Sequence, residues 1–149
     1  MDSPNFPETV QQLEQWMKDN CNNFDSYSVN GNHIYEGHGI DKSGELFIWY
    51  YTERGQRQEL EHFASEKEIV QHAYRMIKSD KWANTQYVGL TLNRSMSDEL
   101  REKLTAMEIP FHADEIPYTA TSPAYRTFVF GCDIKKVSHL KDKYYKWPL

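Results

Sequence analysis

One stretch limits the fold more than any other: Glu45-Leu-Phe-Ile-Trp-Tyr-Tyr-Thr-Glu53. Side chains alternate across a strand. Leu46, Ile48 and Tyr50 therefore leave one face while Phe47, Trp49 and Tyr51 leave the other. A strand apolar on both faces belongs in the middle of a sheet, with one face on a core and the other at least partly covered. Asp41-Lys42-Ser43-Gly44 before it and Arg54-Gly55 after it read as turns, which makes its neighbours antiparallel. Upstream, Phe24 to Val29 alternates, Asn30-Gly31 is a type I′ hairpin signal, and His33 to Gly39 returns; downstream, Arg57 to Phe63 is a fourth strand. The block reads as an antiparallel meander.

Helical periodicity flanks it. Over residues 8–21, Val10, Leu13, Met17 and Cys21 share a face, Pro7 suits the first turn, and Asn22-Asn23 ends the element. Ser65 and Glu68 have capping-box spacing and open a helix whose buried stripe is Ile69, Ala73 and Ile77, with Val70 and Met76 beside them. Gln86 to Leu92 reads as a strand. Ser95 or Ser97 then caps a helix with Leu100, Leu104 and Met107 inward, which Pro110 ends. Phe111 to Ala113 is a short strand, residues 114–124 an ordered loop, and Tyr125 to Gly131 a strand. Asp133 opens a last helix with Ile134, Val137, Leu140 and Tyr144 inward. The expected class is α+β: an antiparallel meander of about four strands plus further strands, packed with about four helices. No repeat or Gly/Ser-rich linker interrupts the pattern, so residues 1–149 are expected to form a single compact domain.

Mean hydropathy is -0.80, low enough to raise disorder, but four Trp, ten Tyr and seven Phe oppose it. The longest apolar run, Leu46 to Tyr51, is far shorter than a membrane span. The N-terminal Met-Asp-Ser-Pro-Asn-Phe-Pro has neither the basic nor the apolar region of a signal peptide. Cys21 and Cys132 do not make a disulfide framework. These features point to a cytoplasmic protein. Charge is uneven: residues 1–63 hold 11 acids and 4 bases, net -7, whereas residues 64–149 hold 11 acids and 13 bases, net +2. Net acidity disfavours nucleic-acid binding, which draws on Lys and Arg against phosphates. An acidic half suits a basic protein partner; mild acidity also serves solubility alone.

No motif with a reaction mechanism is present. The phosphate cradles G-x-x-x-x-G-K and G-x-G-x-x-G are missing, as are G-x-S-x-G and H-E-x-x-H. Cys132, just before a helix, either has a lowered thiol pKa or is a small buried residue. His62 and Glu66 straddle a strand-to-helix junction, and His33 and His38 leave opposite faces of one strand. Nothing in these spacings compels ligands to converge, so neither metal nor cofactor is expected. Glu59 and Glu61 alternate onto one strand face, with Glu36, Glu45 and Glu53 on neighbouring strands. Together they form an acidic docking face or the solvated side of a sheet. The last helix carries Lys135, Lys136, Lys141, Lys143 and Lys146, which suits an anionic surface or a helix C-terminus.

The run Glu45-Leu-Phe-Ile-Trp-Tyr-Tyr-Thr-Glu-Arg-Gly55, followed by Leu60, Phe63, Ser65-Glu66 and Glu68-Ile-Val, resembles small immunity proteins of bacterial polymorphic toxin systems, including contact-dependent growth inhibition. The likeness covers residues 33–80. It implies a cytoplasmic, non-catalytic protein that binds and neutralises a cognate toxin, often a nuclease, by covering its active site or substrate surface. Interfaces are anchored by Tyr, Trp and Arg. The expected anchors are Tyr27, Tyr35, Trp49, Tyr51 and Arg54, with charge from Glu36, Asp41, Glu53, Glu59 and Glu61. Two rival readings stand beside it: a small hydrolase using His62 or His72 with a nearby carboxylate, and a general protein-interaction module.

Overall fold

The computed structural model describes residues 6–149. Most of the N-terminal segment read for a signal peptide, residues 1–5, lies outside them. The fold is α+β, with one four-stranded and one three-stranded sheet. The chain divides into two compact units, residues 1–84 and 85–149.

In the first unit, α1 spans Val10–Asp19. Thr9, not Pro7, sets its start: the Thr9 hydroxyl accepts the Gln12 N–H at 3.1 Å, satisfying one of the helix's orphan donors. Leu13 and Met17 are fully buried, and Cys21 follows them in left-handed backbone. Four strands come next: β1, Tyr27–Ser28; β2, Gly37–Ser43; β3, Leu46–Glu53; and β4, Gln56–Phe63. They lie in the order β1-β2-β3-β4, so β3 is internal as its pattern requires. The β3–β4 turn puts Arg54 and Gly55 both at positive φ, 53° and 78°, the pair a type I′ turn needs. The β2–β3 turn is Gly44-Glu45 rather than residues 41–44; β2 runs on through Ser43, which pairs with Leu46.

The sheet is not purely antiparallel. β1 is only two residues long and pairs parallel with β2, Tyr27 against His38 and Ser28 against Gly39. The Asn30-Gly31 hairpin therefore does not form, and His33 lies in a loop. A type I′ turn needs positive φ at both central residues; here only Gly31 has it. The Asn32 side chain organises the segment instead. Its oxygen accepts the Val29 N–H at 3.0 Å, and its amide donates to the Phe24 and Tyr27 carbonyls at 3.2 and 2.8 Å. The backbone groups that a hairpin would pair are thus taken by one side chain.

Helix α2, Glu66–Ser79, is capped by Ser65: its hydroxyl accepts the Glu68 N–H at 3.2 Å and donates to the Glu68 carboxylate at 3.0 Å. Ile69, Val70, Ala73 and Ile77 pack with Leu13, Met17, Tyr27 and Trp49 into one core, so α2 covers the Trp49 face of the sheet. The Val10 N–H donates to Glu66 at 2.8 Å and ties α1 to α2.

The second unit holds β5 (Thr85–Thr91), α3 (Arg94–Ala106), β6 (Phe111–Pro117) and β7 (Pro123–Phe130), then the short helices α4 (Ile134–Val137) and α5 (Lys141–Tyr144). Its sheet is antiparallel in the order β5-β7-β6. Asn93, not Ser95 or Ser97, caps α3, accepting the Met96 N–H at 3.2 Å. The helix ends at Ala106, which leaves Met107 at its C-cap, largely exposed. Residues 114–117 are strand rather than loop. Asp114 sits opposite Arg126, and the two form a bidentate pair at 2.8 and 2.7 Å that extends the ladder. Pro117 and Pro123 face each other at its end, where a missing N–H costs little. The expected last helix is broken by 3₁₀ turns, and Asp133 pairs with Lys136 at 3.3 Å instead of capping. Val137, Leu140 and Tyr144 still reach the core with Val88, Leu100, Leu104 and Val129.

Candidate binding surface

The edge of the first sheet is β4. Every residue from Gln56 to His62 is exposed. A strand pattern predicts that half would be covered; in β4 only Phe63, at its end, is partly buried, against His72 of α2. A register shift sets Trp49 opposite Glu61 and Tyr50 opposite Glu59, so Leu60 is an extra residue bulged out of the ladder. Residues directly opposite share a face. Glu59 therefore lies on the Tyr50 face and Glu61 on the Trp49 face. This corrects the expectation that the two share a face: the bulge flips the alternation. Glu59 is 3.1 Å from His62, while Glu61 has no ion pair among the described residues. Acids thus flank both sides of one edge strand.

The Tyr50 face carries a cleft of about 530 Å³ between the 31–35 loop and the middle of the sheet. Tyr50 lines it, and a glycine makes room for the ring. A Cβ at Gly39, opposite Tyr50, would stand 2.8 Å from Tyr50 Cε2 and closer still to the ring tip. With hydrogen there instead, the ring lies flat across β2. Arg57 covers the ring from outside, its guanidinium carbon 3.8 Å from the centroid, and donates to Asp41 at 2.6 Å. The Lys42 N–H and then the Arg57 guanidinium hold the Asp41 carboxyl below its ordinary range.

The opposite face holds a ring cluster beneath α2. His38 stacks on Trp49 at 5.4 Å and contacts Tyr51 at 5.1 Å. His72 meets the edge of Trp49 from α2 at 5.1 Å. Burial, then the neighbouring His72, push the His38 imidazole below its ordinary value. The Tyr27 hydroxyl donates to Asp80 at 2.7 Å, and burial plus that carboxylate raise its pKa.

Several expected anchors are placed where they are usable. Tyr35 is 85% exposed. Glu36 and Arg54 are exposed; Glu36 precedes β2, and Glu45 lies in a turn, so neither is on a strand. Tyr51 donates to Glu53 at 2.8 Å, which raises its pKa, and both are partly exposed near Arg54. Trp49 and Tyr27 are not surface residues. At 2% and 5% exposure they belong to the core, because the Trp49 face is the face α2 covers. The sequence reading missed Tyr50 and Arg57. Its available signal was Gly37-x-Gly39 beside an aromatic strand, since strand glycines mark close approach.

His62 meets Glu59, but on an open edge strand rather than in a cleft. His72 packs against Trp49 and Phe63. Cys132 is exposed rather than buried. Among the described residues no three His, Cys, Asp or Glu side chains converge as a metal site, and no helix is long and apolar enough to cross a membrane. Of the C-terminal lysines, Lys143 pairs with Glu99 at 2.8 Å. Comparison with family models, curated proteins and solved structures returns no match.

Proposed function

We propose that this chain is a non-catalytic binding protein that neutralises a basic partner protein, as the resemblance to toxin-immunity proteins implies. The observation that carries the reading is the edge strand β4, exposed from Gln56 to His62, with Glu59 on one face, Glu61 on the other, and Glu53, Arg54 and Tyr51 at its hairpin end. An exposed strand edge offers unpaired backbone groups to a partner. Acids on both faces favour a basic one and speed its approach. A nuclease fits, because it carries a basic surface for phosphates. The reading puts the complex in a bacterial cytosol.

The test is genetic and then physical. The product of the gene immediately upstream is expressed alone and with this protein. The reading expects toxicity alone, rescue together, and loss of rescue when Glu59 and Glu61 are both changed to Lys. A harmless upstream product, or full rescue by the double variant, overturns it.

A further inference from the structure

We propose that the cleft over Tyr50 binds a carboxylate, which the Arg57 guanidinium and the Tyr50 hydroxyl receive together. Tyr50 lines the cleft, and its hydroxyl, which solvent in the cleft reaches, makes no hydrogen bond to the described residues. A hydroxyl that meets only water is free to turn its donor to a ligand that enters the cleft. Arg57 is held in place from two sides, by the ring beneath it and by Asp41 at 2.6 Å. Only one of its five donors is used by this contact, and no other acceptor lies within reach among the described residues. The side chain is half exposed and lines the cleft. A fork of free donors on a fixed planar cation fits a carboxylate in bidentate geometry.

The charges around the cleft permit this. Asp41 is the one acid lining it; Lys42 N–H takes one of its oxygens and Arg57 the other. Glu59, on the same sheet face, is held by His62. The rim is His33 and the exposed Tyr35, whose rings meet edge to face at 4.9 Å. At about 530 Å³ the cleft has room for a small organic acid, an acidic side chain or a chain terminus. This site draws Arg57 from the edge strand β4 but faces the 31–35 loop, and it does not depend on the partner being a toxin.

The experiment is a nitrogen–proton NMR titration of the full chain, read at the Arg57 Nε–H and the Gly31 and Gly55 amides. The probes are sodium acetate, the peptide acetyl-Gly-Ser-Gly with a free carboxylate, the same peptide amidated, and sodium chloride at matched ionic strength. Saturable shifts with acetate or the free-acid peptide, and none with the amide or chloride, are expected. Tighter binding of the peptide than of acetate assigns the site to a chain terminus; equal binding assigns it to a small acid. Arg57→Gln should weaken binding at least tenfold. Tyr50→Phe should weaken it several-fold while the melting temperature stays the same, because the lost hydroxyl has no partner inside the protein. The proposal is overturned by the absence of saturable shifts, by equal response to the amide, or by unchanged binding in both variants.

Discussion

Gly39→Ala is a one-methyl change that tests how the cleft is built. Gly39 does not have positive φ, so alanine suits its backbone and the effect is steric alone. The added Cβ would lie 2.8 Å from Tyr50 Cε2 and nearer to Cζ and Oη. The ring is 4% exposed, under Arg57 and over β2, so it can escape only outward. Overpacking a filled site costs about 1–3 kcal/mol, and lifting the ring off its seat loses a cation–π contact of about 0.5–1 kcal/mol. The expected loss is about 1.5–4 kcal/mol of stability. Urea denaturation followed by far-ultraviolet circular dichroism measures it, as a lower midpoint at an unchanged slope. The control is the same substitution made in a Tyr50→Val protein, where no ring is present to be displaced. There Gly39→Ala should cost less than about 0.5 kcal/mol, which makes the two sites strongly coupled. A Gly39→Ala protein as stable as the parent, or one with the same loss in both backgrounds, refutes the placement of Tyr50 over β2.

Two other outcomes follow from the geometry. The depressed folded-state pKa of His38 means that the unfolded chain binds the extra proton first. Its contribution to stability is intact above the ordinary histidine value of 6.5, falls as pH drops below it, and levels off beneath the folded value; His38→Phe should flatten that part of a stability–pH profile, and an unchanged profile counts against the stacked, buried imidazole. Asn93→Ala should cost about 1 kcal/mol through the lost α3 cap, whereas Ser95→Ala should change unfolding by less than about 0.5 kcal/mol; the reverse order would return the cap to Ser95.

What could be read from the chain was what its local pattern decides. β3 announces itself because its alternation and its bracketing turns lie within a dozen residues, and α2 because Ser65, Glu68 and the Ile69–Ala73–Ile77 stripe are all local. Three misreadings turn on a side-chain partner outside the local pattern or on an extra residue. Asn32 dismantles the Asn30-Gly31 hairpin by bonding back to Phe24 and Tyr27. Arg126 makes a strand of residues that resemble a loop, from twelve positions away. Leu60 shifts the period of β4 by one and separates Glu59 from Glu61, which no count of alternation shows. The candidate surface was half legible for the same reason. Its charges are visible in composition, but which aromatic rings are core depends on which face α2 covers. The Tyr50 ring can sit where it does only because a glycine on β2 faces it.

The central claim, that the acidic strand edge steers a basic partner, is tested most directly by association kinetics with the upstream gene product at two salt concentrations. Exposed charges are screened beyond about 8 Å at physiological ionic strength, so the association rate should fall steeply as salt rises. The Glu59→Gln, Glu61→Gln protein should associate more slowly and lose most of that salt dependence, while its urea midpoint stays unchanged. A Lys141→Gln, Lys143→Gln protein should behave like the parent. If the lysine variant loses binding and the glutamate variant does not, the docking surface is the C-terminal helical segment and the account is wrong.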